Sequence, residues 1–199
     1  MDFPLVPARH AGDDAPHGAI IETLERVLAD IPAPKAGRSD VPQEAAEAIA
    51  RRAAKRAALL SGSLALPPGP LGFMTLLPDL YLIWQTQRQM VSDIFGVYGR
   101  SAELTKTNML YCLFRHAASQ VLRDVAVRAG ERVVVREMTA GALRGALSTL
   151  GVTVTQRVAG ATAGRFVPAL GAAAVAGYAY WDTLQVAKSA HRLLVPPAN

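Results

Sequence analysis

Between Arg56 and Asp79 the chain carries no charge, and three prolines within four residues break the middle of that stretch. An apolar segment of this length raises the question of a membrane span, which needs about 20 residues. Pro67, Pro68 and Pro70, with Gly69 and Gly72 among them, cannot continue an α-helix. In lipid, the backbone groups they release would need protein partners. Leu64–Leu77 is therefore either a buried connector or a loop dipped into a membrane face. The buried connector is the reading carried into the fold. Its apolar side chains are Leu66, Pro67, Pro68, Leu71, Phe73, Met74, Leu76 and Leu77.

Pro78 suits the first position of a helix, where its missing N–H costs nothing, and Asp79 favours the positive helix start. From there Leu80, Ile83, Trp84, Gln87, Met90, Val91, Ile94, Val97 and Tyr98 recur with helical period and define one apolar stripe. Gln85, Arg88, Gln89 and Ser92 lie off that stripe and are expected in water. Gly99 is a left-handed stop, and Ser101 with Glu103 reads as the next cap and first turn. Asp79 and Asp93 share a side but stand about 21 Å apart along a helix. A catalytic carboxylate pair needs about 5 to 9.5 Å, so the two cannot act together.

The expected fold is all-α, a compact multi-helix bundle with long central helices around the Pro/Gly-rich connector. Half the residues are hydrophobic, aromatics are 6% and mean hydropathy is +0.19. That composition favours close-packed helices and a large core over sheet. Residues 1–41 read as a flexible tail bearing a short amphipathic helix (Ile20, Ile21, Leu24, Val27, Leu28), followed by the linker IPAPKAGRSD. Residues 42–199 read as a single helical domain. The tail lacks the basic and apolar regions of a signal peptide, so cytoplasmic residence is the expectation.

Charge is unevenly spread. Residues 1–50 hold four Lys/Arg and nine Asp/Glu, whereas residues 51–199 hold seventeen and seven. The basic half suits an anionic partner or the acidic N-terminal piece. On the helix expected from Pro42 to about Leu60, Arg51, Arg52, Lys55 and Arg56 fall on one face. A basic face leading into an uncharged segment suits an interfacial anchor on anionic headgroups; a solvated face on a core helix is the alternative.

Ser101 to about Arg128 reads as a second long helix, with Met109–Phe114 apolar all round and therefore buried on several sides. His116, Gln120 and Asp124 share a face, but His116 and Asp124 are about 12 Å apart, which makes a polar face rather than a catalytic pair. ERVVVR suits strand or buried helix, and helix is preferred because no partner strand stands out. Gly141–Gly145 and Gly160–Gly164 are spaced for close helix approach. In the last helix Val175, Tyr178, Ala179, Val186, Ala190 and Leu193 form an apolar stripe that also carries Asp182. A buried carboxylate needs a cation or several donors, so Arg115 or Arg123 is expected beside Asp182. With Asp79, these are the candidate buried polar residues.

The segment PPGPLGFMTLLPDLYLIWQTQRQMVSDIFGVYG resembles the Gly/Pro turn, helix and Tyr-Gly ending of EcsC-like proteins. VPALGAAAVAGYAYWDTLQVAKSA is similar to their closing Pro-x-x-Gly, small-residue helix. The resemblance spans roughly Ala45 to Leu194 and implies an all-α, membrane-associated bacterial protein, in a family named for a product encoded beside an ABC exporter. It brings no catalytic residues.

No phosphate loop, nucleophile elbow, HExxH or dinucleotide fingerprint is present. His10, His17, His116 and His191 are scattered, and the single Cys112 excludes a multi-cysteine zinc site. No metal, cofactor or catalytic residue is expected, and the chain reads as non-enzymatic. The leading expectation is a helical protein at the inner membrane face, peripheral there, binding lipid, an apolar small molecule or a membrane protein. The alternative is a soluble assembly or scaffold module whose apolar segments are core or a homo-oligomer interface. A nucleic-acid partner is not expected, because no basic-aromatic surface or reading helix accompanies the sequence pI of about 9.7.

Overall fold

The computed structural model describes residues 14–63, 71–115, 126–129, 132–135, 137–163 and 168–195. The fold is a helical bundle, as the composition predicts. In chain order it contains α1 (Asp14–Leu28), α2 (Pro42–Ser63), α3 (Leu71–Val97), a 3-10 turn (Ser101–Glu103), α4 (Lys106–Phe114), β1 (Ala126–Ala129), β2 (Arg132–Val135), α5 (Ala140–Ala163) and α6 (Pro168–Leu194). Helices α2, α3 and α6 pack against one another, with α2 and α6 the most extensive pair. Helix α1 lies on α3 and α5, and α4 packs on α3 and α6.

The apolar stripe of α3 is core as expected: Trp84, Gln87, Met90, Val91, Ile94 and Val97 are buried. Met109–Phe114 of α4 is buried on every side, and the Phe114 ring meets Trp84 edge-on at 5.5 Å. Helix α1 joins this core through Ile20, Leu24, Val27 and Leu28.

Gly99 ends α3 as predicted, with φ +68°. Its N–H donates to the Gly96 carbonyl (2.9 Å) and the Arg100 N–H to the Phe95 carbonyl (2.9 Å), the bond pair of a Schellman stop. Arg100 then grips Glu103 and donates to the Leu194 carbonyl at 3.1 Å. One side chain thus ties the end of α3 to the last carbonyls of α6.

The polar face of α3 is not in water. It holds the irregular segment 31–40, which lies along the helix as a strap. Ser92 Oγ donates to the Pro32 carbonyl (2.6 Å), Gln89 Nε2 to the Ala33 carbonyl (3.0 Å), and the Lys35 N–H to Asp93 (2.6 Å). The Ser39 N–H donates to the Val97 carbonyl (3.0 Å). Arg88 reaches back to the Val27 carbonyl at 2.7 Å, closing α1 against α3. Period placed these residues correctly off the core stripe. Solvation was the wrong inference, because a strap without secondary structure of its own must find backbone partners elsewhere.

Four further expectations change. Helix α3 begins at Leu71, not at Pro78, which sits inside it. A proline removes one N–H and crowds one carbonyl, and the leucines on either side are good helix formers that carry the helix through it. The second long helix is instead the 3-10 turn followed by nine-residue α4, separated by extended Leu104 and Thr105. Thr105 Oγ1 accepts from the Asn108 N–H at 3.2 Å, so the cap falls there rather than at Ser101. ERVVVR contributes a strand: β2 pairs antiparallel with β1, Val127 opposite Val134 and Ala129 opposite Arg132. The partner strand, AVRA, had been absorbed into the expected helix, and three successive β-branched valines favour the pleated form. Lastly, Gly141 and Gly145 do not mediate close helix contact, since a Cβ at either would meet nothing within 4 Å. Gly160 side-chain surroundings and Gly164 lie outside the described residues.

Candidate functional site

Helix α2 is alanine-rich on one side because that side is pressed against α3 and α6. Ala46, Ile49, Ala50, Ala54, Ala57 and Ser61 are buried. At 100° per residue, Arg51, Arg52, Lys55 and Arg56 fall on the opposite side, and all four are exposed. Arg51 pairs with Glu47 at 3.4 Å; Arg52, Lys55 and Arg56 have no ion pair among the described residues. Leu59 stands in the middle of this face, one turn beyond Lys55 and Arg56, and is 75% exposed. Sequence reading found the four cations and missed Leu59, although the same spacing places it among them.

Helix α6 exposes a second stripe. Tyr178 and Trp181 are 54% and 50% exposed, their ring centroids 5.9 Å apart. Lys188 and Arg192 continue the same face toward the C-terminus and are exposed. The expected apolar stripe was right for Ala179, Val186 and Ala190 and wrong for Tyr178. The buried face is rotated toward Thr183, Ala187 and Leu194.

Two contacts fix how these stripes sit along the bundle. Gln87 Nε2 of α3 donates to Asp182 Oδ2 of α6 at 2.7 Å, and Tyr98 Oη meets His191 Nε2 at 3.2 Å. Helices α3 and α6 therefore run parallel. Val41, Pro42 and Glu47 share a cleft with Tyr98 and Val195, so α2 runs antiparallel to α6, its start beside the end of α6. Counting from the Glu47–His191 level, Trp181 lies about 15 Å up α6, and Leu59 about 18 Å up α2. The aromatic pair is thus level with the last basic turn of α2. Leu82 of α3, also exposed, lies five residues before Gln87, at the same end.

The polar residues resolve differently from the sequence expectation. The described hydrogen bond to Asp182 comes from Gln87, which is 0% exposed and also donates to Thr183 Oγ1 at 3.2 Å. Arg115 instead lies over the Tyr111 ring, 5.7 Å from its centroid. Arg123 and the side chain of Asp79 lie outside the described residues. Among the described residues an amide from the adjacent helix donates to Asp182, and Arg115 does not reach it. Orienting that amide toward Asp182 leaves Gln87 Oε1 buried without a hydrogen-bond partner, a cost of about 1–3 kcal/mol. Leu66, Pro67 and Pro68 are outside the described residues. Leu71, Phe73, Met74, Leu76 and Leu77 fall in the first turns of α3, where backbone alone is described.

His191, one of the four scattered histidines, sits against Tyr98. Its ring meets Tyr98 edge-on at 5.6 Å, beside a cleft of about 540 Å³ whose other lining residues include Glu44 and Glu47. Burial lowers the His191 pKa from 6.5, with the Glu47 carboxylate opposing, and burial with Glu47 raises that of Tyr98. A depressed imidazole is neutral in the fold and protonates more readily when unfolded. Its contribution is therefore fully present above about pH 6.5 and lost as pH falls through the lower folded value. Urea midpoints taken at about pH 7.5 and about pH 5 should fall more for the native chain than for His191→Gln; equal falls would remove His191 from the acid response.

The Cys112 thiol is buried in α4, and burial pushes its pKa up, which leaves it an inert core residue. Among the described residues no three His, Cys, Asp or Glu side chains converge as metal ligands, and no helix is long and apolar enough to cross a membrane. Compared with known proteins, the chain matches no family model, no curated sequence and no solved structure.

Proposed function

We propose that this protein is a non-enzymatic helical module that binds peripherally to an anionic membrane surface, at the cytoplasmic face, through the outer side of α2. The observation that carries this reading is the face itself: Arg52, Lys55 and Arg56, exposed and without an ion pair among the described residues, around a leucine that is three-quarters in water. A cationic side chain left unpaired beside an exposed leucine gains little in solution. At a bilayer the leucine enters the headgroup boundary while the long basic stems reach up to phosphates. Each such Lys or Arg contributes about 1 kcal/mol at an anionic surface. The resemblance to EcsC-like proteins points the same way and rests on its residues alone.

Sedimentation with phosphatidylglycerol vesicles and with phosphatidylcholine vesicles across a salt series tests the reading. Binding to the anionic vesicles alone is expected, weakening as added salt shortens the Debye length from about 10 Å at 0.1 M. Absence of binding, or equal binding to both lipids, would return α2 to the role of a solvated face on an assembly module.

A further inference from the structure

We infer that α6 supplies the apolar half of the membrane contact, with Trp181 and Tyr178 as an interfacial aromatic anchor and Lys188 and Arg192 as its headgroup-side cations. The inference rests on the reading of α2 as a membrane-binding face and adds a second helix and a depth to it. Three observations converge. Half of each aromatic side chain is exposed, although Trp84, the other tryptophan, is 7% exposed in the core. Counted along the bundle axis, the pair stands at the height of Lys55, Arg56 and Leu59 on the neighbouring helix. The same face of α6 carries two exposed cations and no acidic residue between Trp181 and Arg192 other than Asp182, which is turned to Gln87.

Chemistry selects the occupant. Tyrosine and tryptophan have an apolar body and one polar atom, and they concentrate where hydrocarbon meets headgroups. Basic residues alone give a contact that salt dissolves. Burying two aromatic rings adds area-dependent affinity that salt does not screen. An anionic bilayer offers both in one surface: phosphates for six exposed cations on α2 and α6, and an acyl boundary for Leu59, Tyr178 and Trp181. The two antiparallel helices then lie in the plane of the membrane, and the aromatic end is the more deeply seated.

The test uses the full chain and Trp181→Phe, whose difference spectrum isolates the Trp181 emission without touching the core. With phosphatidylglycerol vesicles carrying a nitroxide near the headgroup, the Trp181 signal should shift to the blue and be quenched. Tyr178→Ala/Trp181→Ala should retain low-salt binding and lose about tenfold or more in affinity at high salt, where each tenfold corresponds to about 1.4 kcal/mol. Vesicle binding with an unshifted, unquenched Trp181 signal would overturn the anchor and leave the α2 reading standing. No binding by the native chain would overturn both. A blue shift that depends on protein concentration rather than on lipid would assign the aromatic pair to contact with a second copy and overturn the anchor as well.

Discussion

Replacing Arg51, Arg52, Lys55 and Arg56 together by glutamine should weaken the proposed binding to anionic vesicles by about a thousandfold. The figure follows from about 1 kcal/mol for each cation removed from a negative surface, a combined loss of about 4 kcal/mol, converted at about 1.4 kcal/mol per tenfold. The fold is untouched, because all four side chains are exposed and the single ion pair lost, Arg51 with Glu47 at 3.4 Å, is an exposed one. Such pairs contribute about 0–1 kcal/mol. The unfolding midpoint should therefore move little while sedimentation with phosphatidylglycerol vesicles is abolished at moderate salt. Substituting lysine at the three arginine positions keeps the charge and should keep most of the binding, which separates a general electrostatic contact from bidentate recognition by guanidinium. Unchanged sedimentation of the glutamine variant would remove α2 from the contact.

The second large effect lies far from that face. Gly96→Ala destabilises the protein by about 2–3 kcal/mol, against the direction of helix propensity. Within a helix, alanine is better than glycine by about 0.8–1 kcal/mol, so an open position would gain. Gly96 is not open: a Cβ there would stand 2.4 Å from the Ala36 carbonyl oxygen and 2.7 Å from Pro34 Cβ. Overpacking of this kind costs about 1–3 kcal/mol, and more where backbone must move. Displacing the strap also weakens the hydrogen bonds that Ser92, Gln89 and Asp93 make with it. Lower urea midpoints and faster tryptic cleavage after Lys35 and Arg38 are the readouts. Gly145→Ala is the matched control. Its Cβ would meet nothing within 4 Å, so that variant should gain about 0.5–1 kcal/mol. Equal behaviour of the two variants would show that the strap yields without cost.

The two effects act on independent parts of the molecule. The strap sets how α1 sits on α3 and hence the integrity of the core. The α2 and α6 stripes face outward from helices packed on α3, and Gln87–Asp182 and Tyr98–His191 hold α6 in register with α3. Vesicle binding, as proposed, and stability should therefore respond separately to single-region substitutions.

By itself the sequence determined what depends on neighbours a few residues apart. Helical period identified the buried stripe of α3 and the basic face of α2, and Gly99 marked its stop because only a residue without Cβ adopts φ +68° cheaply. The apolar run Met109–Phe114 announced its own burial. Tertiary structure decided everything that depends on which segment arrives from a distance. Arg88, Gln89 and Ser92 looked solvated until residues 27–35 reached them, 56 to 61 positions away in the chain. One described partner of Asp182 is an amide 95 residues away. AVRA became a strand because RVVV folded back onto it. Tyr178 left the apolar stripe because the buried face of α6 turned toward Thr183 and Ala187. Local periodicity fixes which side of a helix is apolar to within one step of rotation, whereas the packing of the neighbouring helix decides whether a borderline aromatic is covered or left facing out.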